Sequence, residues 1–253
     1  MAFLYIIKVV ESVDGVDSKM KVSVCLATYN GELYIQDQIN SILPQLNDQD
    51  EVVVSDNGST DKTLDILSSY GNRIIVLHEQ RKGVVANFEN ALSKVSGDLI
   101  FLADQDDVWL PSKIDKVVAA LEDCDLVLTD AKVVDYSLNE LKSSLFNTNN
   151  SKPGIIRNLI KNSYVGCCMA FRRKLLVEAL PFPENIPMHD WWIGLVAEAR
   201  FKVKFINESL ILYRRHEGNV SVTSNKSSFN LWVKLKWRFV MLYKLLFRLL
   251  GDK

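Results

Sequence analysis

Three carboxylates fall within four residues at Asp104-Gln105-Asp106-Asp107, directly after the apolar run Leu99 to Ala103. Carboxylates this close repel unless a cation or a proton sits between them, and a hard divalent ion with oxygen ligands is the usual solution. The bland alternative is an acidic loop that only solvates a strand end. A second acid, Asp190, stands before Trp191 and Trp192 at the start of a helical stretch. A carboxylate there can act as a general base, or it can simply gain from the helix dipole. Polar turns also follow two other apolar runs, Thr28-Tyr29-Asn30-Gly31 and Asp56-Asn57-Gly58-Ser59-Thr60-Asp61.

The elements that must position these residues alternate. Val22 to Ala27 and Glu51 to Ser55 are short apolar strands, each followed by a helical pattern. The first of these helices carries Leu33, Ile35, Ile39, Ile42 and Leu43, and the second carries Leu64, Ile66 and Leu67. Arg73 to Leu77 give a third strand, Gly83 a break, Val84 to Val95 a helix, and Leu99 to Ala103 a strand buried on both faces. Strands alternating with helices predict an α/β fold with a mostly parallel central sheet covered on both faces. In such sheets ligands bind beyond the carboxyl ends of the strands, where Thr28, Asp56 and Asp104 all fall. Three polar strand ends on one edge point to a nucleotide and its metal.

Further along, Pro111 is expected at the first position of a helix running to Leu121, and Asp125 to Thr129 reads as a strand. The polar stretch Ala131 to Pro153 reads as a mobile loop near the site. Gly166 to Phe171 reads as a strand whose small residues allow close approach to the backbone. Ile193 to Arg200 is helical, and Leu210 to Tyr213 forms a last strand ahead of Arg214-Arg215-His216.

Composition narrows the class. The chain has 253 residues, 48% of them hydrophobic, enough for one sizeable core, with Lys+Arg 30 against Asp+Glu 31. The resulting net charge of −1 gives no sign of a nucleic-acid partner. Cys25, Cys124, Cys167 and Cys168 show neither zinc spacing nor a secreted framework, so reduced cytosolic thiols are expected. The AFLYIIKVV run supports neither a signal peptide nor an anchor, and Met20 is a second candidate start. The divisions are an N-terminal extension 1–20, a catalytic domain 21–222, and a basic amphipathic helix in 223–253. On that helix Phe229, Trp232, Phe239, Tyr243 and Phe247 share one face, with Lys234, Arg238, Lys244 and Arg248 opposite. It is expected to lie in the headgroup region of an anionic membrane, the alternative being that its aromatic face docks on the domain.

As a set, the motifs CLATYNG, SDNGSTD, ADQDDVW, HDWW and YRRHEGNVS resemble family 2 glycosyltransferases, the inverting class with the GT-A fold, over about Lys21 to Asn219. The resemblance implies that Asp56 holds the nucleotide base, with Thr28 lining the same pocket. It implies that Asp104 and Asp106 form the DxD motif for Mn²⁺ or Mg²⁺, that His216 lies near the diphosphate and metal, and that Asp190 is the catalytic base. The full donor-side set is then Thr28, Tyr29, Asn30, Asp56, Asn57, Lys82, Asp104, Gln105, Trp109, Arg214 and Arg215, with Asp106, Asp104 and His216 for the metal. Two departures stand out. Asp56-Asn57 replaces the usual Asp-Asp, which bears on nucleotide preference, and His189-Asp190 replaces the frequent Glu-Asp, which bears on acceptor contacts.

Bacterial relatives of this kind build O-antigen, lipopolysaccharide or capsule on undecaprenyl-diphosphate sugars at the cytoplasmic face of the inner membrane, as peripheral proteins. The expected donor is UDP-galactose or UDP-glucose, with dTDP-rhamnose as the alternative, and the expected acceptor is a polyprenyl-diphosphate-linked sugar. Two other classes compete. A haloacid-dehalogenase-like phosphatase would use Asp104 as nucleophile but requires its strand to come first in the fold, and a nucleotide-sugar-binding protein without catalysis would not need both Asp106 and Asp190.

Overall fold

A computed structural model describes residues 20–216 and 230–251. The N-terminal extension up to residue 19, the EGNVS end of the last motif, the expected boundary at 222/223 and Phe229 lie outside the described residues. The first half alternates as expected: β1 (Val22–Thr28), α1 (Ile35–Ile42), β2 (Glu51–Asp56), α2 (Thr63–Ser68), β3 (Ile75–His78), α3 (Val84–Leu92) and β4 (Leu99–Asp104). These strands pair in parallel in the order β3-β2-β1-β4. Register aligns Thr28 with Asp56 and Ala27 with Asp104, so the three polar strand ends share one edge. Val24, Leu26, Val53, Phe101 and Leu102 are fully buried, which is why these strands read as unbroken apolar runs.

The second half continues with β5 (Val108–Trp109), α4 (Lys113–Leu121), β6 (Leu126–Val134), β7 (Glu140–Lys142), α5 (Leu145–Asn149), α6 (Ile155–Ile160), β8 (Met169–Arg172), α7 (Arg173–Ala179), α8 (His189–Arg200), β9 (Val203–Arg214) and α9 (Leu231–Leu250). Strand β8 lies antiparallel between β4 and β6, and β9 runs parallel to β6 and antiparallel to β5, so parallel pairing dominates only the first half of the sheet.

Several expectations are corrected here. Pro111 does not open the helix. Val108 and Trp109 pair with Leu212 and Ile211, Leu110 donates to the Leu210 carbonyl, and α4 starts only after Ser112, in a left-handed conformation at φ +66°. Ala131 to Pro153 is not a mobile loop: β6 runs on to Val134 beside β9, and β7 and α5 follow. Its polar residues serve as caps. Ser144 accepts from the Asn147 amide, and the buried Asp130 accepts from the Phe146 amide at 2.9 Å and the Ser144 hydroxyl. Gly166 to Cys168 form a 3₁₀ turn ahead of β8, and the last strand is much longer than Leu210 to Tyr213.

Candidate active site

On the donor side, nearly every polar side chain is committed to backbone. The Gln105 Oε1 accepts from the Thr28 hydroxyl at 2.6 Å and the Tyr29 amide at 2.9 Å, while its Nε2 donates to the Tyr29 carbonyl at 3.2 Å. A side chain at Gly31 would place Cβ 2.5 Å from that Oε1, so glycine there permits the close approach. The fully buried Asp56 accepts from the Gly58 and Ser59 amides and from the Ser59 hydroxyl. Its carboxylate therefore holds the turn that follows β2. Asn30, in left-handed conformation at φ +49°, accepts from the Thr60 amide and donates from its own amide to Ser59 Oγ. Asn57 binds three backbone groups of the β3–α3 loop, donating to the Glu79 and Arg81 carbonyls at 2.9 and 2.8 Å and accepting from the Gly83 amide at 3.0 Å. Exposed Tyr29 and Lys82 edge this wall.

Thr28, Tyr29, Asn30, Asp56, Asn57 and Gln105 are thus brought together. Trp109 and Arg214, expected at the nucleotide, serve the framework instead. Trp109 is 2% exposed, its ring 5.8 Å from that of Phe101. Arg214, 3% exposed, pairs with Asp37 at 3.0 Å, donates to the Tyr136 carbonyl and lies over the Tyr34 ring. Arg215 is half-buried, and its amide donates to the Val134 carbonyl. A concavity of about 570 Å³ behind Trp109, lined by Ser41, Gln45, Pro111 and Ile114, touches none of Asp104, Asp106, Asp107 and Asp190.

The acid cluster is arranged differently. Asp106 Oδ2 lies 2.8 Å from His216 Nε2, whose ring packs on Tyr34 at 4.6 Å between centroids. Asp107 is fully buried. One of its oxygens accepts from the Arg214 amide at 3.0 Å, and the other has no hydrogen-bond partner among the described residues. Ligand atoms of Asp104, Asp107 and Cys167 all lie within 4.8 Å of one another. Burial, then the charges of Asp106 and Asp190, push the Asp104 carboxyl up to about 7, and burial followed by Asp106 and Asp104 raises Asp107. The buried Lys113 donates to the Cys167 carbonyl at 3.0 Å and lies 4.4 Å from the Trp109 ring centroid; burial lowers its amine to about 8.

Repelling carboxylates, an orphaned buried oxygen and an imidazole fit a divalent cation such as Mg²⁺ or Mn²⁺. Asp104, Asp106 and His216 are the residues expected to hold it, and the structure brings Asp107 beside Asp104 as a further carboxylate; the Cys167 thiol lies close but, held protonated, is no ligand for a hard ion. The acid was visible in the motif, but the approach of Cys167, more than sixty positions away, has no local signal.

Asp190 lies in the first turn of α8, 6% exposed. It accepts from the Gly166 amide at 3.1 Å and the Trp191 amide at 2.6 Å, yet burial still raises it to about 6. Gly166 precedes Cys167, and Asp104 feels the charge of Asp190, so the acid reaches the cluster from the opposite half of the sheet. His189 is buried and stacked on Phe88 at 3.9 Å, with neither ring nitrogen partnered among the described residues. Burial lowers it to about 3, so it stays neutral. Its Nε2 is 3.1 Å from where a Cβ on Gly166 would stand, which accounts for glycine at that position.

The Asp104 strand is fourth in the chain and central, where the phosphatase alternative needs it first. The family model for glycosyl transferase family 2 matches residues 23–180. The chain is 28% identical over 211 residues to the dTDP-rhamnosyl transferase RfbG of Shigella flexneri, covering 77% of this chain and 72% of that protein. It is 26% identical over 215 residues to the UDP-Glc:alpha-D-GlcNAc-diphosphoundecaprenol beta-1,3-glucosyltransferase WfgD of Escherichia coli, covering 81% and 80%. The fold matches the crystal structure of S. aureus TarS 1-349 in complex with UDP-GlcNAc, with TM-score 0.68 at 22% identity, over 92% of this chain and 74% of that one. The chain spans 66% of the length of another curated relative. With the family match running through both strand-end motifs and the acid cluster, the chain belongs to glycosyl transferase family 2 and has the GT-A fold.

Proposed function

We propose that this glycosyltransferase transfers a hexose, with inversion, from a nucleotide sugar to a polyprenyl-diphosphate-linked sugar in cell-surface polysaccharide synthesis, as a peripheral protein at the cytoplasmic face of the inner membrane. The observation that carries the reading is the meeting of two kinds of buried acid: a repelling cluster at the end of β4, and Asp190 at the start of α8, raised to about 6 and so ionised at neutral pH. The first suits a diphosphate and its cation, the second an acceptor hydroxyl.

The turns held by Asp56, Asn30 and Gln105 form the wall for the nucleotide, with Tyr29 and Lys82 exposed to meet it. Asp190 takes the proton of the acceptor hydroxyl as its oxygen bonds to the anomeric carbon; the bond from that carbon to the diphosphate breaks, and the nucleoside diphosphate leaves. A positioned base of this kind gives roughly 10² to 10⁴ in rate. Asp106 and Asp104, with His216 and Asp107 beside them, would hold a divalent ion, which when bound would supply charge stabilisation to the leaving diphosphate. The burial of Asp106, Asp107 and Asp190 strengthens both effects.

Of the two expected donors, UDP-glucose and UDP-galactose, similarity to WfgD favours UDP-glucose, with a GlcNAc-diphosphate-lipid acceptor, while similarity to RfbG favours dTDP-rhamnose as the second reading. A donor screen decides between them: purified protein, Mn²⁺, a panel of UDP-, dTDP- and GDP-sugars, and a synthetic GlcNAc-diphosphate-lipid. Transfer from a UDP-hexose is the expected result. Transfer only from dTDP-rhamnose establishes the second reading, and no transfer from any donor overturns both.

A further inference from the structure

Helix α9 turns the wrong face to water. Of its ten exposed positions, nine are apolar and only Lys236 is charged. Trp232 is 76% exposed, Phe239 70% and Phe247 67%, with Leu235, Leu242 and Tyr243 on the same stripe. A helix on a water-soluble surface carries its polar residues outward. Here the basic residues turn inward. Arg238 donates to the Ile160 carbonyl at the end of α6, and Arg248 donates to the carbonyls of Glu178 in the last turn of α7 and of Leu180 and Pro181 beyond it, with Met241 and Leu245 buried between them. Arg200 adds a bond to the Leu249 carbonyl. The sequence alternative in which the aromatic face docks on the domain is therefore overturned, and the cationic face expected to meet anionic lipid is occupied.

We infer that the outward face of α9 inserts into the acyl boundary of a bilayer, and that the attraction is apolar rather than a matter of lipid charge. Trp and Tyr among Phe and Leu suit the interface between headgroups and acyl chains. No helix among the described residues is long and apolar enough to cross a membrane, so α9 lies in the plane. The apolar surface continues past the helix onto the elements its arginines grip: Ile156 and Ile160 on α6 and Val177 on α7 are all largely exposed. A bilayer is chosen over a second copy of the chain on the reading that the acceptor is lipid-linked, which places the substrate at that surface.

The test is co-sedimentation of the full chain with vesicles of neutral phosphatidylcholine, and of phosphatidylcholine with 30% phosphatidylglycerol, at 0.1 and 0.5 M NaCl. We expect binding to both, changing less than threefold with salt, and at least a tenfold loss of binding in the Trp232→Ser/Phe239→Ser/Phe247→Ser variant. Binding that requires phosphatidylglycerol and disappears in high salt would overturn the apolar mode. A wild-type dimer by light scattering that the triple variant renders monomeric, without vesicle binding, would assign the face to a second copy. Transfer to a short-chain water-soluble acceptor, measured separately, should be equal in wild type and variant. Its absence in both, with vesicle binding intact, would count against the transferase reading and leave the membrane surface standing.

Discussion

The two sides of the sheet edge solve opposite problems. On the donor side, Asp56, Asn57, Asn30 and Gln105 spend their hydrogen-bonding capacity on nearby turns. On the other side, Asp107 and Asp190 are buried and Asp104 half-buried, one oxygen of Asp107 has no hydrogen-bond partner among the described residues, and all three hold their protons more tightly than ordinary acids. The satisfied side is rigid before any ligand arrives. The strained side carries charge that only a cation, a substrate or a proton relieves, and that tension is what makes it reactive.

The largest test of this contrast removes a charge from the strained side. Asp106→Ala should abolish measurable transfer while circular dichroism stays native, and EDTA should do the same to the unaltered protein; full activity in EDTA would break the assignment. Next comes Asp190→Asn. Asparagine suits a helix start about as well as aspartate, so a purely structural role predicts near-normal turnover. As the base, Asp190 predicts a loss of about 10² to 10⁴ with donor binding retained. With its carboxyl raised to about 6, the wild-type rate should climb through that pH to a plateau, a limb the Asn variant lacks.

On the satisfied side the effects are smaller. Asn57→Asp removes the donors that hold the Glu79 and Arg81 carbonyls; it should cost about 1 to 3 kcal/mol of stability and raise the donor KM several-fold with kcat little changed. A loss confined to kcat would place Asn57 in the chemistry instead.

The smallest expected effect is on folding. Asp104, Asp107 and Asp190 all have raised carboxyls in the folded state, so each favours folding below the unfolded value near 3.9, and that contribution is lost as pH rises through the folded values of about 6 and 7 for Asp190 and Asp104. Without divalent cation, Tm should be a few degrees higher at pH 5 than at pH 8, and Mn²⁺ should close the gap at pH 8. An unchanged gap with Mn²⁺ would show that the cluster does not hold the ion.

The first half of the fold was legible because strands buried on both faces leave unbroken apolar runs, and their polar ends mark the ligand edge without further information. The second half was not. The last residues of β6 and much of β9 carry charged and polar side chains at half-buried or exposed positions, such as Lys132, Lys204 and Glu208, so neither apolar runs nor clean alternation survive. Asp190 could be singled out from its motif, but Cys167 and the burial of Arg214 depend on contacts distant in sequence. A helical wheel of α9 separates two faces correctly and cannot say which one the domain takes. Arginine on backbone carbonyls at helix ends, rather than aromatic burial, decided that.

Gln105 sits in sequence between two of the cluster acids while its amide grips Thr28 and Tyr29, so the acid motif and the turn after β1 share one side chain. On the proposed reading, a shift of Asp104 or Asp106 on binding an ion would reach the nucleotide wall through that amide. Thermodynamic reciprocity then fixes the outcome in both directions: the factor by which the ion tightens the nucleotide is the factor by which the nucleotide tightens the ion. Ion and nucleotide would then load cooperatively, and departure of the spent diphosphate would loosen the hold on the metal by the same factor.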